Sequence, residues 1–447
     1  MKNIKRILTN SPYLLLIFGF LSVILTGTII LMTPLVSTTG ESTSFFNALF
    51  TATSATCVTG LIVLDTGTYF NEIGHIVIML LIQIGGIGIM AFIALCIHLF
   101  KGKLSIKNKI NVKEAYNVIN IGDGLRIIKS IFIISLTMEI IGAIILSFVF
   151  IPEFGVSKGL FYSLFHSISA FNNAGFDLNG NFSSLTNYVG NPIINFTIMA
   201  LITIGSLGFI AILDIIDKKS FKKLSLTTKL VLCLTGTLLV LGFISFFILE
   251  AQNPKTLGEL NFFEKILASL FLSVTARTAG FNTIDMSGLT VASNLIFIVL
   301  MYIGASPTST GGGLKTTTVL VPILSIIALF KGKDEIEVFE RRIPRNLILK
   351  SSALITVVFL FSLVSTILLS LTENADFITI LFEVASAINT VGLSLGLTPY
   401  LSIFGKLIII ILMFIGRIGP LTIVMALSLK QKSENSIKYI EEKILIG

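Results

Sequence analysis

Long apolar runs recur along the 447-residue chain, and polar residues are confined to the segments between them. The clearest runs cover residues 13–32, 127–149, 226–249 and 347–371. A helix needs roughly 20 apolar residues to cross a bilayer, so this pattern predicts an all-α polytopic membrane protein. The first run is longer than the apolar part of a signal peptide and no small-residue cleavage motif follows it, so we expect it to remain as a spanning helix.

One short pattern occurs four times: small and hydroxyl residues, then a glycine, then Leu or Phe. The four glycines stand 115, 105 and 112 residues apart. A second landmark, an Ile-Gly pair in a long apolar run, follows them at 25, 30, 24 and 24 residues, at Gly85, Gly205, Gly304 and Gly416. In the four copies, the glycine and the two residues before it are Val58-Thr59-Gly60, Asn173-Ala174-Gly175, Thr278-Ala279-Gly280 and Thr390-Val391-Gly392.

Two landmarks in step predict an internal repeat of first helix, short re-entrant pore helix, extended loop and second helix. Four such units give eight spanning helices and four half-helices around one central pore. We place the units at residues 1–103, 104–220, 221–335 and 336–430, followed by a cytoplasmic tail at 431–447.

The four glycine loops interrupt helices at membrane depth, where irregular backbone is tolerated only if it is buried or lines a water-filled path. Each half-helix would point its C-terminal carbonyls, the negative end of its dipole, at that path and so favour a cation. A ring of backbone carbonyls can replace the water around a potassium ion. The alternative, helix-packing glycine, suits Gly85, Gly205 and Gly416 better than the loop glycines.

Charge is sparse and unevenly placed: the mean hydropathy is +0.95 and 13% of residues are charged. Alternate polar segments (the N-terminus, 101–129, 217–229, 331–350 and the tail) hold 25 of the 32 Lys and Arg residues. The positive-inside rule therefore predicts that both termini are cytoplasmic in a multi-pass cell-membrane protein. The opposite segments are mainly acidic, which would concentrate cations at the outer mouth. This distribution argues against a nucleic-acid partner and indicates membrane lipid instead.

The apolar run after the third glycine loop breaks at Gly304-Ala305-Ser306-Pro307-Thr308-Ser309-Thr310-Gly311-Gly312-Gly313-Leu314-Lys315, which cannot continue an apolar helix. We expect this stretch to lie inside the membrane beneath the glycine loops, although a static kink is the alternative. Arg417 lies within an apolar run, where a charge needs a partner. It would repel cations when the path is shut, or bind carbonyls of the loop, or only tie helices together through Glu139. Arg277 would brace its loop from behind, and Lys315 would extend to the cytoplasmic surface.

The chain resembles the Ktr/Trk/HKT family of potassium transporters, and within it the KtrB type of bacterial membrane subunit. The resemblance extends from about residue 12 to about 425 and rests on the four glycine loops and on the runs at 82–88 and 414–420. It implies a potassium filter with one glycine per repeat, Gly60, Gly175, Gly280 and Gly392, and a gate formed by 304–313 with Arg417. Gly60, rather than serine, favours potassium. The fourth loop has the Thr-Val-Gly of a potassium channel without the following Tyr-Gly, so we infer a less selective filter.

The resemblance further implies a homodimer on a separate, KtrA-like cytosolic ring that binds ATP or ADP, with sodium as a candidate activator. The basic segments 101–129 and 331–350 would be docking surfaces. We expect no nucleotide site in this chain, because Leu314 interrupts the Gly-Lys pair of a phosphate loop. The catalytic sets of the enzymes we considered are incomplete. A sodium-coupled symporter with broken helices is the alternative, but such proteins usually contain inverted repeats. The leading hypothesis is gated potassium uptake driven by the membrane potential.

Overall fold

The computed structural model of the chain describes residues 12–89, 92, 124–419 and 422. The predicted boundaries at 103 and 430, most of the basic segment 101–129 and the tail at 431–447 lie outside these residues. Within them, four successive units each contain a first helix, a pore helix, an extended loop and a second helix.

The helices of the four units follow the order that the repeat predicts. The first helices are Pro12–Leu31, Gly124–Phe154, Leu226–Glu250 and Arg345–Thr372. The pore helices are Phe45–Thr56, Val156–Phe171, Phe262–Thr275 and Phe377–Ile388. The second helices are Glu72–Ile87, Pro192–Leu207 with Phe209–Lys218, Val291–Tyr302 with Thr316–Phe330, and Ile403–Ile418. A helical turn at Thr66–Tyr69 and 3-10 turns at Pro34–Val36, Thr186–Tyr188, Phe221–Lys223, Met286–Gly288 and Thr398–Tyr400 lie in the connections.

The four first helices form the lipid-facing periphery. Each is long and apolar enough to cross a membrane, and only 28% of its most apolar window is buried inside the protein. Large apolar side chains such as Ile29, Phe148, Ile248 and Leu371 are exposed on them. A soluble fold does not leave such continuous apolar surfaces in water, so these helices face hydrocarbon.

The second helices begin and end with recurring local chemistry. A polar N-cap side chain, from Asn71, Asn191, Thr290 or Ser402, accepts hydrogen bonds from backbone N–H groups of the first turn. In the first, second and fourth units the helix ends at Gly88, Gly208 or Gly419, with φ between 89° and 93°. Glycine adopts this backbone without a Cβ penalty, so it ends each helix at the same point beneath the loops.

Two second helices depart from a straight span. In the second unit the chain bends by 92° at Gly208, between Pro192–Leu207 and Phe209–Lys218. The sequence analysis did not anticipate this bend, whose physical reason is the left-handed glycine. In the third unit the helix stops at Tyr302 and resumes at Thr316, so the predicted break at 304–315 lies between two helical segments.

A small antiparallel hairpin, Ile336–Val338 with Arg341–Ile343, lies in the basic segment 331–350. Its buried residues Ile336 and Ile343 pack against Val321 of the third unit. The sequence analysis treated this segment only as a charged loop, because strands of three residues give too short an alternation to recognise.

Aromatic packing joins the third and fourth units. Phe297 is fully buried, with its ring centroid 4.3 Å from that of Phe246 and 6.0 Å from that of Phe382. Dispersion contacts of this kind hold helices together where lipid supplies no hydrophobic driving force between them.

We predict that Phe297→Ala destabilises the folded protein, because the cavity left between three helices cannot close. Phe→Ala changes in soluble cores cost about 3–5 kcal/mol, which sets the upper scale here. Thermal unfolding of the detergent-solubilised protein measures the effect. Phe404→Ala is the control, since Phe404 is 70% exposed on the second helix of the fourth unit. Equal transition temperatures for the two variants would contradict the packing role of Phe297.

Candidate ion-conduction site

The four loop glycines form a closed ring. A methyl group added to Gly60 would lie 2.6 Å from the Ala174 carbonyl oxygen, and one added to Gly175 would lie 2.9 Å from that of Ala279. One added to Gly280 would lie 3.1 Å from the Val391 oxygen. One added to Gly392 would collide with the carbonyl oxygen of Thr59, which closes the circuit. Each glycine therefore faces the carbonyl that precedes the glycine of the next repeat.

The backbone of all four loops repeats one strained conformation. The residue two positions before each glycine, Val58, Asn173, Thr278 or Thr390, has φ between 50° and 63°. The glycines themselves have φ between 69° and 98°. Left-handed non-glycine residues each cost of order 1–3 kcal/mol and persist only where the surroundings impose them. Four copies of the same strain indicate a shape maintained for a ligand.

Hydroxyl groups of the pore helices secure the loops from behind. The backbone N–H of Gly60 donates to Ser54 Oγ and that of Gly392 to Ser386 Oγ, each over 3.1 Å. In the second unit Ser169 Oγ donates to the Phe176 carbonyl oxygen over 2.7 Å. Thr275 Oγ1 donates to the carbonyl of Phe281 in the third. These bonds satisfy loop groups on the protein side.

The segment 303–315 lies directly beneath the ring. The backbone N–H of Gly312 donates to Thr390 Oγ1 over 3.1 Å, and Thr310 Oγ1 donates to the Phe171 carbonyl oxygen over 3.1 Å. A side chain at Gly311 would collide with Thr278 Oγ1. The segment thus contacts the lower ends of the second, third and fourth loops.

Further backbone bonds attach this segment to the second helices around it. The N–H groups of Ser306 and Thr310 donate to the carbonyls of Ser206 and Gly205, over 3.0 Å and 3.2 Å. The N–H of Gly313 donates to the Gly416 carbonyl over 3.1 Å. The segment is therefore a folded plug with hydrogen-bonded backbone and not a loose linker.

Two cations hold the carbonyls of this plug. Arg417 donates from Nη1 to the Thr310 carbonyl and from Nη2 to those of Gly85 and Gly86. Lys315 Nζ donates to the Gly311 carbonyl oxygen over 2.6 Å. The expectation that Lys315 extends to the cytoplasmic surface is wrong, because its ammonium group turns back to the carbonyls of Gly311 and Gly312 in the plug.

The contacts of Glu139 do not fit the alternative in which Arg417 ties helices together through this residue. Its carboxylate accepts hydrogen bonds of 3.0 Å from Gln83 and Asn172, and thereby links three helices of the first two units. Arg277 is 3% exposed and donates to Thr235 Oγ1 of the first helix over 3.4 Å. It therefore lies behind the third loop, as the sequence analysis expected.

A cavity of about 220 Å³ opens above the ring. The four glycines line its base, and the carboxyl-bearing residues Asp177 and Asp285 line its wall. Burial raises the pKa of the Asp177 carboxyl to about 7, with a contribution from nearby Asp65. The backbone N–H of Asn179 donates to the carboxylate of Asp177 and thereby opposes this rise in pKa.

Lipid-facing helices, four repeated pore loops and a plugged axis define a polytopic helical membrane transporter built from pore-helix repeats. Residues 5–439 match the family model TrkH, described as cation transport protein. The chain belongs to this family, whose members transport ions and are not enzymes.

Relatives cover nearly the whole chain. It is 44% identical to the Ktr system potassium uptake protein B of Bacillus subtilis, over 100% of this chain and 99% of that protein. It is 43% identical to the potassium/sodium uptake protein NtpJ of Enterococcus hirae, over 98% and 97% of the two chains. The crystal structure of the potassium transporter TrkH from Vibrio parahaemolyticus matches with a TM-score of 0.74 at 18% identity, over 94% of this chain and 86% of that one. The last similarity concerns the fold.

Sequence reasoning missed the residues that support the loops. Ser54, Ser169 and Ser386 all stand six positions before their glycines, so aligning the repeats on the glycine would have revealed them. Gln83 and Asn172 gave no such signal, because only the packing of separate units brings them to Glu139.

We predict that Ser386→Ala destabilises the protein, because the N–H of Gly392 loses its buried partner. An unsatisfied buried group costs about 1–3 kcal/mol. Thermal unfolding in detergent tests this against Ser370→Ala, which removes only a hydroxyl bonded back to its own helix at Thr366. Unchanged unfolding of Ser386→Ala would show that the bond does not support the loop.

Proposed function

We propose that this chain takes up potassium as a channel-like transporter, with the ring of Gly60, Gly175, Gly280 and Gly392 as its selectivity filter. The cyclic contact between each glycine and the carbonyl of the next repeat is the observation that carries the proposal. The names of the Bacillus and Enterococcus relatives, which mention potassium uptake, support potassium as the cargo.

The filter comprises the glycine of each loop and the two residues before it, and ions would pass between their backbone carbonyls. The pore helices end at Thr56, Phe171, Thr275 and Ile388, immediately before the loops. Their dipoles direct partial negative charge at a dehydrated cation. The electrical gradient supplies ~2.3 kcal/mol per charge per 100 mV, which is sufficient drive without a coupled reaction.

The plug at 304–313 acts as the gate, and Arg417 holds it shut. The plug contacts three loops above it and the second helices of the second and fourth units beside it, and in this position it blocks the path beneath the filter. Opening requires that these hydrogen bonds be exchanged, so anything that pulls on the second helices changes the open fraction.

Assembly follows the resemblance. The Ktr names of relatives support a separate regulatory subunit, which would form a nucleotide-binding ring against the cytoplasmic side of a homodimer. Both termini would then be cytoplasmic, and sodium, named with potassium in the Enterococcus relative, is the candidate activator.

We predict that Gly60→Ser and Gly392→Ser lower the preference for potassium. A side chain at either position meets a carbonyl oxygen of the neighbouring loop and strains a left-handed backbone. Potassium and sodium flux into proteoliposomes under an imposed potential measures the ratio.

Gly236→Ser is the matched control, since a methyl group there meets nothing within 4 Å. We expect this variant to retain the wild-type ratio. If wild-type flux is absent, or if neither ring variant changes the ratio, the filter assignment is wrong and a coupled symporter becomes the better hypothesis.

We predict that Arg417→Gln raises potassium flux through the protein without its regulatory partner, because the plug loses the guanidinium bridge from the Thr310 carbonyl to those of Gly85 and Gly86. Arg417→Lys keeps the positive charge and therefore separates repulsion of cations from the bridging of carbonyls by the guanidinium. If the guanidinium acts by bridging carbonyls, lysine raises flux as well, since one ammonium cannot span all of them.

Lys406→Gln is the control on the same helix, where Lys406 donates to Asn47 Oδ1 at the other end. We expect its flux to equal that of the wild type. Folded Arg417→Gln protein with unchanged or lower flux would refute the role of Arg417 in holding the gate.

A further inference from the structure

A buried carboxylate lies behind the fourth filter loop. Glu383, on the pore helix Phe377–Ile388, has no solvent-exposed surface. It accepts a hydrogen bond of 2.8 Å from Ser394 Oγ and another from Thr398 Oγ1. Both donors follow Gly392 in the chain and line the cavity above the ring. The carboxylate is thus bonded to the wall of the outer mouth and not to another helix.

These bonds continue into the loop backbone. Ser394 Oγ also accepts from the N–H of Gly396 over 3.0 Å. Together with the Ser386 bond to the N–H of Gly392, they tie the loop to its pore helix at successive points. The two oxygens of the Glu383 carboxyl group bind different residues of the loop, Oε2 binding Ser394 and Oε1 binding Thr398, so one side chain holds the loop at two points.

The four repeats differ at this position, which stands nine residues before each glycine. In the second repeat it is His166, whose Nε2 accepts from the N–H of Leu178 over 3.4 Å, three residues after Gly175. In the first and third repeats it is Thr51, bonded back to Asn47 of its own helix, and Phe271, which is apolar. Polar anchors therefore support two loops on opposite sides of the ring.

From this arrangement we infer that Glu383 is a positioning residue that determines ion selectivity by fixing the wall of the fourth loop. The inference rests on the proposed filter. A loop held at successive points keeps its carbonyls at the spacing that suits potassium, and a released loop closes around the smaller sodium ion. Glu383 does not itself contact the ion.

The primary test is the potassium-to-sodium flux ratio of Glu383→Gln in proteoliposomes. The amide keeps the shape of the side chain but brings an N–H₂ group to a site with two hydroxyl donors, so we expect the ratio to fall several-fold. Thermal unfolding of the same preparation verifies that the protein is folded. A folded variant with the wild-type ratio overturns the inference.

Thr398→Val distinguishes anchoring from charge, because it removes one bond and leaves the carboxylate in place. We expect the ratio to fall here too, and to fall no further when Glu383→Gln is added, as for two changes in one interaction. A reduced ratio in Glu383→Gln alone would mean that the charge acts directly on the ion, and the inference would be wrong. If Glu383→Gln does not fold, the ratio of Thr398→Val decides in the same way.

Glu250→Gln is the matched control. Glu250 is equally buried and accepts from Thr290, Ser293, Thr256 and Asn253, but these lie at the start of a second helix and in the connection before a pore helix, and not in a filter loop. We expect it to lose thermal stability and keep its ratio. Gly392→Ser in the same vesicles separates the two proposals: if it too leaves the ratio unchanged, the filter assignment fails, and if it alone lowers the ratio, only the role of Glu383 fails.

Discussion

The constraint behind this structure is that polar backbone inside a membrane must find partners, since lipid offers none. Four helices are interrupted at the same depth, and each interruption exposes carbonyl and N–H groups. The protein meets this demand by bringing the four interruptions together, so that each loop is satisfied by pore-helix hydroxyls on one side and faces its neighbours on the other. A single interruption would have been costly, whereas four in a ring create a polar axis.

The third repeat breaks the symmetry, and the plug follows from that. In the other three, the Ile-Gly glycine packs against the last carbonyl of its own pore helix: Gly85 against Thr56, Gly205 against Phe171 and Gly416 against Ile388. Gly304 instead packs against Leu314, within the inserted segment. In the third unit, therefore, the second helix lacks this contact with its pore helix, and its own backbone lies beneath the ring.

Local chemistry explains which features the sequence could predict. Glycine spacing located the ring, and the proline and glycines at 304–313 located the plug, because both signals act through the backbone of the residue itself. The bend at Gly208 looked like any other helix glycine, and Lys315 was misplaced because its partners are carbonyls, which every residue has. Glu139 stood out in an apolar run and Glu383 was not singled out; the partners of both come from separate segments, so their roles required three-dimensional contacts.

Backbone carbonyl groups have different neighbours at two levels of the axis, the glycine ring and the plug beneath it. In the ring, the carbonyls of Thr59, Ala174, Ala279 and Val391 lie against glycines, which bring no side chain to compete for them. In the plug, the carbonyls of Thr310 and Gly311 are bound by Arg417 and Lys315. A fixed guanidinium or ammonium group satisfies a carbonyl as a potassium ion would, but it cannot leave. Under the proposed function, glycines in the ring leave its carbonyls open to a passing ion, whereas the anchored cations below already occupy the carbonyls of the plug.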